Sequence, residues 1–205
     1  TSIANTGLLD LLSSEFEKQT GIKVRPIAVG TGNAISNSKR GDGDVLIVHS
    51  KQDELKFVSE GYGVKRYDLM YNSFIIVGPK DDPANIVQET DIKKIMIKIA
   101  LSNYKFISRD DNSGTHIKEK NLWKLANINS FDNFKYIRTG TSMANTLNVA
   151  SEMNAYTLSD QGTWLSFNNK NNLKVLFKGG NEMHNEYGII AINPKKFPHV
   201  EFEKS

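Results

Sequence analysis

Between Gly7 and Thr20 the apolar residues Leu8, Leu11, Leu12 and Phe16 recur at helical spacing, and Gly21 follows where such a helix would stop. The pattern predicts an amphipathic helix. Ile22 to Val29 is short and β-branched, and the Gly30-Thr31-Gly32 turn separates it from a second helical segment beginning near Asn33. A strand, a turn and a helix are expected there. Asp44 to His49 reads as a buried strand, Gln52 to Glu60 as a helix, and Ser73 to Val77 as a strand closed by Gly78-Pro79. Phe106 to Lys120 predicts a strand, a tight hydroxyl-rich turn and the start of a helix that runs through Leu122 and Trp123. A helical run follows near Ser142 to Met153, with strands at Ala155 to Leu158, Leu173 to Phe177 and Tyr187 to Ile192. Strands and helices alternating in this way predict an α/β fold with mostly parallel sheets, whose ligands lie in a crevice beyond the carboxyl ends of the strands.

The segments GPKDDPAN and FKGGNEMHNEYG are rich in Gly, Pro, Asn and charge and bracket a central block. They are expected to be two crossover segments between two α/β lobes. One lobe would hold residues 1–78 with 180–205 returning to it, and the other residues 79–179. The turns at Gly30 to Gly32 and Ser113 to Thr115 would then face a cleft.

The chain has 205 residues and 39% hydrophobic content, enough for one large domain or two small lobes with cores of their own. Its formal net charge of +3 arises from 26 basic and 23 acidic residues spread along the whole sequence. No basic stripe of the kind that tracks nucleic acid is present, whereas small anions fit the charge balance. Without cysteine there are no disulfides, thiolate metal sites or cysteine nucleophile. No apolar run is long enough to cross a bilayer as a helix.

The strongest chemical signal is the junction FISRDDNSGTHIKEK. The first N–H groups of a helix lack intrahelical partners, and the helix dipole makes that end attractive to anions. Gly114 permits close backbone approach, Ser113 and Thr115 add hydroxyls, and Arg109 adds a permanent charge. The plainer alternative is a helix cap at Ser113 or Thr115, with Arg109 paired to Asp110 or Asp111. Catalytic patterns are absent. His116 follows Thr115 directly and so points away from it, which makes a poor nucleophile and base pair. His49, His116, His184 and His199 are scattered without metal-ligand spacing, and GTGNA lacks the last glycine of a dinucleotide fingerprint. Asp81-Asp82 and Asp110-Asp111 read as turn carboxylates, Lys93-Lys94 and Lys195-Lys196 as solvated faces, and Trp123 and Trp164 as core.

With these residues in view, the chain resembles the periplasmic tungstate-binding proteins that serve ABC importers, a family of two-lobed solute receptors of the periplasmic binding protein type II class. The resemblance rests on NTGLLDLL with EFEKQTGIKV, AVGTGNAI, GDGDVLIVH, GYGVKRYDLMYNSFIIVGPKDDPA, SRDDNSGTHIKE, AYTLSDQGTWL and YGIIAINP, in the family's order. It implies a tetrahedral oxyanion, tungstate or molybdate, gripped between lobes with Ser2, Thr31, Arg109 and Thr115 as side-chain contacts. Likeness to molybdate receptors adds Met143, through its amide, and Tyr156. The family usually opens with a strand and several threonines ahead of the site, where this chain begins at Thr1-Ser2, and TGTSMANTL is less glycine-rich than the family form.

The resemblance further implies a periplasmic, mature chain that has lost its signal peptide, a membrane permease as partner, and a monomer. No cofactor, no cation site and no catalytic residue are expected. A phosphate receptor of the same fold is the nearest alternative, because Asp111 stands where phosphate receptors place an acceptor for a protonated ligand. A hydrolase acting on phosphoesters is a more distant one. If Asp111 instead pairs with Arg109, the site keeps only donors and favours unprotonated dianions; the sequence leaves both arrangements open.

Overall fold

The computed structural model describes residues 6–129, 131 and 134–205. Ser2, an expected oxyanion contact, lies outside the described residues. The chain divides into two compact units, Thr1–Tyr71 with Glu186–Ser205, and Asn72–Asn185.

The first unit contains α1 (Leu8–Thr20), α2 (Thr31–Ser38), β1 (Val45–Val48), α3 (Lys51–Ser59), the first half of β2 (Gly63–Pro79) and most of β7 (His184–Ile192). β1 pairs antiparallel with β7, and β7 is hydrogen-bonded in turn to β2. Leu46, Val48, Phe57, Ile190, Ile192 and Val200 form its core. Helix α1 ends at Gly21, whose φ of 71° lies in the left-handed region and whose N–H reaches Glu17 O at 2.8 Å. The strand expected at Ile22 to Val29 is not formed. β-branched residues favour extended backbone, but a strand exists only where a neighbour completes its ladder. Here the Ile22 N–H donates to Thr20 Oγ1 and the Val24 N–H to Glu17 Oε1, so both turn back to α1.

The second unit is a sheet covered on both faces. It contains the rest of β2, α4 (Ile92–Leu101), β3 (Phe106–Ser108), α5 (Gly114–Leu125), β4 (Tyr136–Arg138), α6 (Met143–Glu152), β5 (Tyr156–Asp160), α7 (Gln161–Ser166) and β6 (Leu173–Lys178). β3 pairs parallel with β4 and β5, while β2 pairs antiparallel with β5 and β6. Side chains alternate across β2: Phe74 and Ile76 join Ile95, Ile99, Phe106 and Trp123 on one face, and Ile75 and Val77 join Ile107, Leu147 and Trp164 on the other. Burial on both faces explains why Ser73 to Val77 reads as an unbroken apolar run.

The α/β class and the position of most expected elements agree with the observed order. Helix α2 begins at Thr31 rather than near Asn33, because Gly30 at the N-cap is extended with ψ of 153° and its carbonyl already accepts from Ala34 at 2.9 Å.

Candidate functional site

Because β3, β4 and β5 run parallel, their carboxyl ends lie on one side of the second unit and each leads into a helix. Ser108 leads to α5, Arg138 to α6 and Asp160 to α7. At α5 the cap is explicit: Ser113 Oγ accepts the His116 N–H at 3.3 Å, and Asp111 Oδ1 accepts the Ser113 N–H at 3.1 Å. Two of the helix's unpaired donors are thereby satisfied, and the N–H groups of Gly114 and Thr115 stay open. The Thr115 hydroxyl sits among them, buried and without a partner. Of the two hydroxyls that the sequence offers, Ser113 is spent on the cap and Thr115 is not.

Arg109 is 9% exposed and lies across the same mouth. Its Nε donates to Thr141 O at 3.3 Å and its Nη2 to Asp111 Oδ2, so it ties the β3–α5 loop to the β4–α6 loop. The Thr139 N–H and hydroxyl both donate to Ser108 O, at 3.0 and 2.9 Å, and reinforce that tie. Asp111 spends one oxygen on Ser113 and the other on Arg109. It therefore pairs with Arg109 and orients the guanidinium, the second of the two arrangements that the sequence leaves open. The remaining Arg109 N–H groups carry the charge outward.

Met143 opens α6 as Gly114 opens α5. Ser142 Oγ accepts the Asn145 N–H at 3.4 Å, which leaves the amides of Met143 and Ala144 as the unpaired donors of that helix. Ser142, which caps α6, and Thr139 and Thr141, which tie the loop to Ser108 and Arg109, are not singled out from the sequence. Their signal is the hydroxyl run TGTS directly before a helical segment.

His116 braces the junction from below. Its Nδ1 accepts the Asn112 N–H at 3.0 Å, so the Nε2–H faces Asp110 Oδ1 at 3.4 Å. Burial, followed by the Lys120 charge, pushes its pKa down and keeps the ring neutral. It is a structural histidine and makes no bond to Thr115.

Tyr156 is not brought to this mouth. In the parallel register it stands opposite Phe106, two residues before Ser108, at the amino end of β5. Its hydroxyl donates to Asp82 Oδ1 at 3.1 Å and accepts the Ala84 N–H at 2.8 Å. A proton committed to a carboxylate is not available to an oxyanion; a tyrosine in this sequence carries no sign of which strand end it will occupy.

In the first unit, Thr31 begins α2 with no side chain capping the helix. It is buried, and its Oγ1 has no partner. Among the described residues, Thr31 Oγ1, Thr115 Oγ1 and Arg66 Nη2 are the buried side-chain polar atoms left unpartnered. Buried polar groups are satisfied as a rule, so an unsatisfied hydroxyl at a helix N-terminus is an exception, and each of the two units carries one.

A family model described as PBP superfamily domain matches residues 1–204. The tungstate-binding protein TupA of Peptoclostridium acidaminophilum is 44% identical over 205 residues, covering 99% of this chain and 71% of that protein. A Haloferax volcanii protein is 40% identical over 207 residues, and this chain spans 60% of its length. Among solved structures, the tungstate ABC transporter from Geobacter sulfurreducens superposes with a TM-score of 0.88 at 46% identity, over 100% of this chain and 87% of that one. Donor-rich helix N-termini on an α/β framework and similarity along essentially the whole sequence lead to the same place: this chain belongs to the PBP superfamily, in the family of the TupA proteins.

Proposed function

We propose that this chain is the substrate-binding component of an ABC importer, which captures tungstate, accepts molybdate of nearly the same size and charge, and delivers the ion to a membrane permease. It acts outside the cytoplasmic membrane, in the periplasm, as a monomeric receptor without catalytic turnover. The ion is held by Arg109, by the amides of Gly114 and Thr115 with the Thr115 hydroxyl, by the Met143 amide, and by the hydroxyls of Thr31 and Ser2. Ser113 contributes as the cap that shapes the turn.

The observation that carries this reading is the donor-rich character of the junction. Thr115 presents an unpartnered buried hydroxyl on the junction that also carries Arg109, whose guanidinium is held by Asp111. An unprotonated tetrahedral dianion accepts from every direction and suits such a site. Phosphate keeps a proton near neutral pH and would have to place it on a hydroxyl or on an Asp111 carboxylate already shared by Arg109 and Ser113, which disfavours the phosphate receptor. The similarity to tungstate-binding proteins along the full chain selects tungstate among the dianions.

Thermal unfolding with four oxyanions tests this. A ligand present at one hundred times its dissociation constant stabilises the folded state by about 2.7 kcal/mol. For a chain of this size that raises Tm by roughly 5–10 °C. Tungstate is expected to give such a rise, molybdate a comparable or smaller one, and sulfate and phosphate little. An equal response to phosphate would transfer the assignment to the phosphate receptor, and turnover of a phosphoester would revive the hydrolase. By calorimetry, Arg109→Ala should weaken tungstate binding about 100-fold, the scale of a lost charge-assisted pair. Lys94→Ala, on the exposed side of α4, should leave it within about twofold.

A further inference from the structure

Directly beneath the Thr115 hydroxyl lies an acid that the proposed function does not use. Thr115 and Glu119 are four residues apart on α5 and therefore share a face, one turn from each other. Glu119 is 2% exposed. Three elements converge on its carboxyl: Ser108 Oγ at the end of β3 donates to Oε2 at 2.9 Å, Trp123 Nε1 on α5 donates to Oε1 at 3.2 Å, and the Tyr136 hydroxyl on β4 also donates to Oε1. The chain of bonds continues upward. Ser108 Oγ accepts the Asp110 N–H at 3.2 Å, and Asp110 is the immediate neighbour of Arg109. The carboxyl is thus wired both to the loop that carries Arg109 and, through one helical turn, to Thr115.

We propose that Glu119 is a positioning residue whose carboxyl takes up a proton from solvent when the oxyanion binds at the β3–α5 junction, so that capture is linked to pH. The inference rests on the oxyanion reading given above. Three neutral donors satisfy the carboxylate without neutralising it, and a dianion one turn away adds like charge in a buried setting. Protonation relieves that repulsion. The added proton sits on Oε2 and donates to Ser108 Oγ, whose own hydroxyl hydrogen turns away from the carboxyl while its oxygen still accepts the Asp110 N–H, so the loop keeps its anchor. Burial holds the ligand-free carboxyl at about 7, close enough to neutrality for such a change to be small in cost. The charged and titratable groups around the network are Asp110, with Arg138 and His116 beside it, the Arg109–Asp111 pair, Tyr136 on β4, and Lys118 and Lys120 on α5. His116 titrates below its ordinary 6.5 and is silent above pH 7, where the effect is sought.

Calorimetric titration with tungstate between pH 7 and 8.5, in two buffers of different ionisation enthalpy, tests the link. The wild-type chain is expected to take up roughly half a proton per ion near pH 7.5, with affinity falling about threefold per pH unit. Glu119→Gln should bind with buffer-independent heat and an affinity flat across this range. Tyr136→Phe removes one donor to the ionised form and should move the midpoint of the pH dependence upward. Equal buffer dependence in wild type and Glu119→Gln, or a midpoint that Tyr136→Phe leaves in place, would overturn the coupling while tungstate binding stood. Failure of the wild-type chain to bind any of the four oxyanions would overturn the underlying reading and this inference with it.

Discussion

Ser113 and Thr115 both look like cap residues, yet the structure separates their roles by what each oxygen touches. Ser113 Oγ takes the His116 N–H, whereas Thr115 Oγ1 takes nothing. The two should respond oppositely to substitution. Ser113→Ala removes a cap and is expected to lower stability by about 1 kcal/mol. Thr115→Val replaces an unsatisfied hydroxyl by a methyl of the same shape, and should leave the ligand-free protein as stable or more stable by up to about 1 kcal/mol. Its tungstate affinity should nevertheless fall roughly tenfold. Paired chemical denaturation and calorimetry on both variants would show this, and a stability loss at Thr115→Val without an affinity loss would make Thr115 structural. The sequence marks the S-G-T as chemically rich. It does not say which hydroxyl is spent, because that depends on the turn formed by Asp110, with φ of 46°, and Asn112, with φ of 55°.

Among the elements, β2 shows how unevenly a strand is written in sequence. Its second half, buried on both faces, is legible as SFIIV, but Gly63 to Asn72 mixes charged residues with exposed apolar ones such as Val64, Tyr67 and Leu69, and is held in the sheet by its neighbour rather than by a buried pattern. Ile22 to Val29 is the converse, β-branched and not a strand. β7 adds a close approach that only packing reveals. A Cβ on Gly188 would lie 2.1 Å from Glu54 Oε2 and 2.8 Å from Arg66 Nε. These two atoms belong to a buried ion pair that joins α3 to β2, and Glu54 also accepts the Ser50 N–H at 2.7 Å. Gly188→Ala should displace the pair and cost about 3 kcal/mol, the scale of breaking a buried ion pair. Urea denaturation measures it, and a loss below about 1 kcal/mol would mean that the pair moves aside freely.

For the whole molecule, stability is linked to pH through the same buried acid. Burial raises the Glu119 carboxyl from its ordinary 4.5 to about 7, so the folded chain holds that proton more tightly than the unfolded one. Its contribution to stability is fully present below about 4.5 and is lost as pH rises through about 7. At about 1.4 kcal/mol per unit, the full loss is somewhat above 3 kcal/mol. His116, held below 6.5, works in the other direction: what it contributes is present above 6.5 and fades as pH falls. Since His116 is common to both proteins, the stability of wild type minus that of Glu119→Gln isolates the acid. That difference should fall by about 3 kcal/mol between pH 4 and 8, and a difference flat with pH would place the Glu119 carboxyl at its ordinary value.

What the sequence determined by itself is what lies in local pattern: the α/β alternation, the helix that ends at Gly21, and the identity of the donors at Arg109, Ser113 and Thr115. These are legible because periodicity, capping and side-chain chemistry act within a few residues. Tertiary structure alone decided which donors stay unspent, that Asp111 serves Arg109, that Tyr156 faces Asp82, and that Glu119 is buried under the junction. Each of those depends on groups brought from separate elements, and a hydrogen bond between β3, α5 and β4 leaves no trace in the order of residues along any one of them.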